Sequence, residues 1–124
     1  MDIRTLQRGL TYRGRVAAPR QTYHLFEASE YFFVLSFALS KARRGSGYFN
    51  VVARSAVEYV QGHWGGRAAV TAKDVFTGAR RTKHVPTRLV ALNILYVLVG
   101  LGRGRITRTG EHRQLFFALR KGEH

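Results

Sequence analysis

The chain has 124 residues, enough for one domain or one domain with an appendage but not for two full domains. Its 45% hydrophobic and 23% charged residues match ordinary globular usage, which excludes a disordered charged tail and predicts a real core. Against that background 21 Lys+Arg oppose 7 Asp+Glu, a formal net charge of +14 that points to a polyanionic partner, and the absence of cysteine excludes disulfides and thiolate metal sites.

Residues 1–21 carry Arg4, Arg8, Arg13, Arg15 and Arg20 with weak periodicity and an interrupting Pro19. They read as a basic N-terminal arm in which a short helix near 3–10 and an edge strand near 10–16 are both open. From Tyr31 apolar residues recur at a period of two: Tyr31, Phe33, Leu35, Phe37 and Leu39 form one fully apolar face. A turn carrying Arg43 and Arg44 follows, and β-prone residues resume at Tyr48, so residues 31–40 and 48–53 are expected to form a β-hairpin with a basic tip, within an element spanning 22–53. A helix over 27–41 ranks lower, because the segment is rich in aromatic and β-branched residues.

The remainder, 54–124, changes to a helical pattern. Ser55 is expected to cap a helix to about Trp64, with Ala56, Val57, Val60 and Trp64 along one side and Gly65-Gly66 at its end. Thr71 and Asp74 have the spacing of a capping box and open a short second helix. A turn loaded with Arg80, Arg81, Lys83 and His84 leads to Pro86, which suits the first position of a third helix running to about Val99. Residues 103–108 and 113–119 then flank Thr109-Gly110-Glu111-His112 as a second hairpin.

Helix, short helix, turn, longer helix and terminal hairpin is the order of a winged helix-turn-helix, and residues from about 53 to 120 resemble that superfamily at the level of architecture. The expected fold class is therefore α+β: an N-terminal β-hairpin element, then three helices and a C-terminal hairpin wing, in one compact domain. The resemblance implies that the third helix enters the major groove by its first turns while the wing follows the backbone or minor groove. It implies Lys83, Thr87 and Arg88 as groove contacts, Arg103, Arg105, Arg108 and Arg113 as phosphate contacts from the wing, and Arg80 and Arg81 as phosphate contacts from the turn. Thr87, Arg88 and Ala91 share the sparsely apolar side of the third helix, whereas Leu89, Leu92, Ile94, Leu95, Tyr96 and Val99 make its later turns apolar nearly all round. Burial of those turns against the N-terminal hairpin or a second subunit is expected, which would shift DNA contact toward the wing and the Arg43-Arg44 tip.

The residue types support a nucleic-acid target independently. Seventeen of the 21 cations are Arg, whose planar fork matches phosphate oxygens and guanine edges. Between Tyr59 and Gly110 the only acid is Asp74, against nine Lys and Arg, unlike the mixed-sign surface of an ordinary domain. Tyr31, Phe32, Phe33, Phe37, Tyr48 and Phe49 would suit base stacking, but apolar strand faces are ordinarily core, and core is the expectation here.

Catalytic chemistry finds no matching constellation. The five histidines lack ligand spacing, Glu27 with Glu30 is the only close acid pair away from the chain ends, and no Gly-rich segment continues into Gly-Lys-Ser/Thr. The expectation is a non-enzymatic duplex-DNA binder without cofactor, metal or catalytic residue. An RNA-binding component of a ribonucleoprotein is the alternative, and a basic nuclease ranks third. The apolar stretch at 89–101 falls short of the roughly 20 residues that cross a bilayer, and no apolar leader opens the sequence, so an intracellular, cytoplasmic location without a membrane partner is expected.

Overall fold

The computed structural model describes residues 9–19, 21–37 and 47–122. Its elements are β1 (Thr11–Ala17), β2 (Thr22–Glu27), β3 (Tyr31–Phe37), β4 (Gly47–Ala53), α1 (Arg54–Trp64), α2 (Ala72–Ala79), α3 (Arg88–Gly100), β5 (Gly104–Thr109) and β6 (Leu115–Leu119). The α+β class follows directly. The expected N-terminal hairpin is half of a larger unit, because β1 to β4 form a four-stranded antiparallel meander in the order β1-β2-β3-β4. Part of the basic arm is thus the edge strand β1, while the helix open near 3–10 lies almost wholly outside the described residues. A bulge between Tyr12 and Gly14 bends β1, and Gly14 takes φ 135, which a side chain rarely adopts.

Helix α3 lies at the centre. All four strands of the meander contact it on one side, and α1, α2 and β5 contact it on the others. This explains its near-uniform apolarity: Ala91, Ile94, Leu95, Val97 and Leu98 are fully buried because the helix has no water-facing side there. The chain's own sheet therefore covers the surplus apolar surface that, in sequence, suggested a hairpin or a second subunit. Ala91 is correspondingly buried, not part of an exposed front. Val16, Tyr23, Leu25, Phe32, Val34 and Val52 supply the sheet's side of the core, and Tyr23 stacks on Tyr96 with ring centroids 4.4 Å apart. The apolar face predicted through Tyr31, Phe33 and Leu35 is the outward one; the alternate residues Phe32, Val34 and Ser36 point into the core.

The helix starts differ from one another in instructive ways. At α2 both halves of the capping box form, with Asp74 N donating to Thr71 Oγ1 at 3.1 Å and Thr71 N donating to Asp74 Oδ2 at 3.0 Å. Ser55 does not cap α1; it lies inside the helix, Ala53 is the N-cap, and no side chain caps it. The strand β4 runs straight into α1, and the first helical residue, Arg54, holds the β2–β3 turn. Arg54 Nη2 donates to Glu27 Oε2 at 2.6 Å and to Ala28 O at 2.8 Å, and Nε donates to Ser29 O at 2.8 Å. Pro86 does not open α3: Thr87 is the N-cap, its Oγ1 accepting from Val90 N at 3.1 Å, and Arg88 is the first helical residue.

The C-terminal hairpin is fastened to the segment between α1 and α2. Val70 and Phe117 exchange both backbone hydrogen bonds at 2.8 Å, and Phe117 and Leu119 enter the core from β6. No helix among the described residues is long and apolar enough to cross a membrane.

Candidate nucleic-acid interface

Strand alternation decides which cations of the C-terminal hairpin reach outward. Phe117 and Leu119 of β6 are buried, so the intervening Phe116 and Ala118 face away, and their partners across the hairpin are Arg108 and Arg105. Both arginines are exposed. Arg108 lies over the Phe116 ring, 3.9 Å from its centroid, which holds the guanidinium on this face. Gly110 packs under the same ring: a Cβ there would lie 2.6 Å from Phe116 Cε2.

The tip of the hairpin turns inward by an unusual backbone route. His112 (φ 54) and Arg113 (φ 62) are consecutive left-handed residues bearing side chains, a conformation that costs about 1–2 kcal/mol per residue. It brings Arg113 to a groove of about 610 Å³ between the wing tip, the first turns of α3 and the start of α2. Lys73, Arg88, His112 and Arg113 line this groove with Leu89 and Tyr96. Glu111 is its one carboxylate among the described lining residues.

The remaining predicted residues are distributed elsewhere. Arg80, Arg81 and Lys83 are exposed in the eight-residue connection 80–87, outside the groove. Thr87 is also exposed, but its hydroxyl is occupied as the cap of α3. Arg103 leaves the wing face: its Nη1 donates to Gln61 Oε1 at 3.0 Å, and it borders a cleft of about 540 Å³ with Arg120, Lys121 and Glu58. Arg43 and Arg44 lie outside the described residues. No family model, curated protein or solved structure matches the chain. Its chemistry is read from its own residues.

Sequence reasoning left Lys73, His112, Arg120 and Lys121 out of the site. Lys73 was within reach, because the capping box places it on the first turn of α2; the other three depend on how the hairpin folds back. The ion pairs among the described residues both involve Glu27, with Arg54 at 2.6 Å and Arg13 at 3.4 Å. The cations from Arg67 to Lys121 thus have no carboxylate bound to them among the described residues, and their field is directed at solvent. Glu27 anchors β2 through Arg13 and Arg54, His63 packs on Tyr59 with ring centroids 4.1 Å apart, and Glu58 borders the Arg103 cleft. No group of three or more His, Asp or Glu positioned for a metal ion occurs among the described residues.

Proposed function

We propose that the chain is a winged helix-turn-helix protein that binds duplex DNA mainly by neutralising phosphates, with modest sequence reading from the front of α3. The observation that carries this reading is the cationic groove, where Arg88 from the first turn of α3 and Arg113 from the wing tip meet beside Lys73. A duplex placed there would extend along the outward wing face to Arg108 and Arg105. The helix–helix–helix–hairpin order and the bridge from Val70 to the wing support the architectural part of the reading.

Burial limits how α3 takes part. From Ala91 to Leu98 every residue but the half-buried, apolar Leu92 is in the core, so among polar residues only Arg88 is presented to the groove, and base reading is confined to a contact or two. A bidentate Arg–guanine contact discriminates by about 1–3 kcal/mol, whereas phosphate contacts carry no direct sequence information. A protein of this kind would act inside the cell on chromosomal DNA, in regulation or compaction, as a binder and not a catalyst.

The test is affinity for a matched duplex and a structured RNA across a salt series, for wild type and for Arg105→Ala/Arg108→Ala and Arg88→Ala/Arg113→Ala. Each lost phosphate contact should reduce the slope of log affinity against log salt by about 0.9, so the wing pair should reduce it by up to about 1.8. Salt-independent binding, or an RNA preference indifferent to the wing, would refute the duplex reading.

A further inference from the structure

The face of the meander turned away from α3 is apolar and open. Tyr12 lies opposite Phe26, Phe26 opposite Phe33, and Leu35 opposite Phe49, so aromatic rings run across all four strands. Tyr12 is 51% exposed, Tyr31 50% and Phe49 59%. The rings form two pairs: Tyr12 with Phe26 at a centroid distance of 5.2 Å, and Phe33 with Phe49 at 5.8 Å and an interplanar angle of 26°. A hydrogen bond of 3.1 Å links Tyr12 Oη and His24 Nδ1. Opposite His24, exposed Arg15 adds a cation to this face.

An apolar patch of this kind on a folded domain marks a binding surface, and its occupant must be compatible with the chain's charge. A second copy would bring two chains of formal net charge +14 together. A nucleic-acid strand brings the opposite sign, and every base offers a flat π-face to an aromatic ring. Of the two acids near the patch, Glu27 is held by Arg13 and Arg54 and Glu30 lies in the β2–β3 turn beyond the strands, while the outward row through Tyr12, Arg15, His24, Phe26, Phe33, Leu35, Phe49 and Val51 contains none.

We propose that this face is a second nucleic-acid site, specific for single strands, with unpaired bases stacking on Tyr12, Phe26, Phe33 and Phe49 and the backbone meeting Arg15. Its residues lie on β1 to β4 and none of them lines the groove at the hairpin tip, so the two sites can be disabled separately.

The experiment measures binding of 12-nucleotide oligothymidine and oligouridine, and of a duplex, to the full chain at one low salt concentration. The variants are Tyr12→Leu/Phe49→Leu and Arg105→Ala/Arg108→Ala. Leucine keeps the apolar character but removes the ring face, at two exposed positions where the fold should survive; the urea midpoint checks that it does. The expected result is a loss of single-strand affinity of about tenfold or more in the leucine variant, with duplex affinity within about twofold of wild type. The wing variant should show the reverse, so failure of either site is read separately. Stronger binding of the thymidine or the uridine oligomer identifies DNA or RNA as the strand. Absence of single-strand binding in the wild type, or undiminished binding in the leucine variant, would overturn the proposal. So would a wild-type dimer, seen by sedimentation, that Phe49→Ala dissociates while single-strand affinity is unchanged.

Discussion

Arg54 shows how much one side chain can organise where a helix lacks a cap. Its guanidinium reaches two carbonyls and the Glu27 carboxylate and lies over the Phe32 ring, 4.7 Å from the centroid. A planar fork serves these partners together, whereas an ammonium is a single point. Arg54→Ala is expected to lower the unfolding free energy by about 2–3 kcal/mol in urea titrations, and Arg54→Lys to restore less than half of that. Arg113 presents the opposite case, in which the native conformation is costly. Glycine at this left-handed position would relieve about 1–2 kcal/mol of strain and add about 0.5–1 kcal/mol of unfolded-state entropy, so the relief wins. Arg113→Gly is therefore expected to raise stability by about 0.5–1 kcal/mol while weakening duplex binding. A stability loss would show instead that the Arg113 side chain supports the fold.

Among the elements, α3 sets the terms for its neighbours. Its last residue, Gly100, sits so close to the sheet that a Cβ would lie 2.6 Å from Leu25 Cδ2 and 3.3 Å from Val16 Cγ2. Replacing a helical glycine by alanine gains up to about 1 kcal/mol of propensity, but overpacking a tight contact costs about 1–3 kcal/mol. Because Leu25 is itself fully buried, Gly100→Ala is expected to destabilise by about 1 kcal/mol, and trimming Leu25 to Val in the same chain should recover part of the loss. Local signals located the elements well. The Thr71 and Asp74 pair announced α2 because a capping box is completed within four residues, and Gly65-Gly66 and Gly100 marked helix ends. Pro86 misled by two positions because Thr87, next in line, offers a hydroxyl that caps α3 directly. Ser55 misled because Ala53 already ends a strand whose backbone enters the helix without a turn.

For the molecule as a whole, the contact of α3 with all four strands predicts that the sheet and the helical half unfold as one cooperative unit. Unfolding followed by Trp64 fluorescence and by far-ultraviolet circular dichroism should give coincident midpoints. Separate transitions would mean that the meander folds as an independent appendage. The same architecture separates the two proposed binding surfaces, with the exposed cations Arg105 and Arg108 on the C-terminal hairpin and the open aromatic face on the meander. Removal of Arg105 and Arg108 should therefore leave the unfolding midpoint nearly unchanged while altering the salt dependence of duplex binding, since both are exposed and neither has an ion-pair partner among the described residues.

The sequence alone determined the α+β class, the order of the helical elements, the C-terminal hairpin and the strongly basic character, because periodicity, caps and charge are local or additive properties. Tertiary structure decided the rest. A period of two shows that residues alternate between faces, but in β3 both faces are apolar, so only the position of α3 reveals that Phe32 and Val34 are core and that Phe33 is on the open side. An all-apolar helix shows that something covers it, but not what, and the covering sheet became visible only when β1 and β2 paired with β3. The groove shared by Lys73, Arg88 and Arg113 arose in the same way: three cations separated along the chain meet because Val70 and Phe117 draw the wing back against the helices.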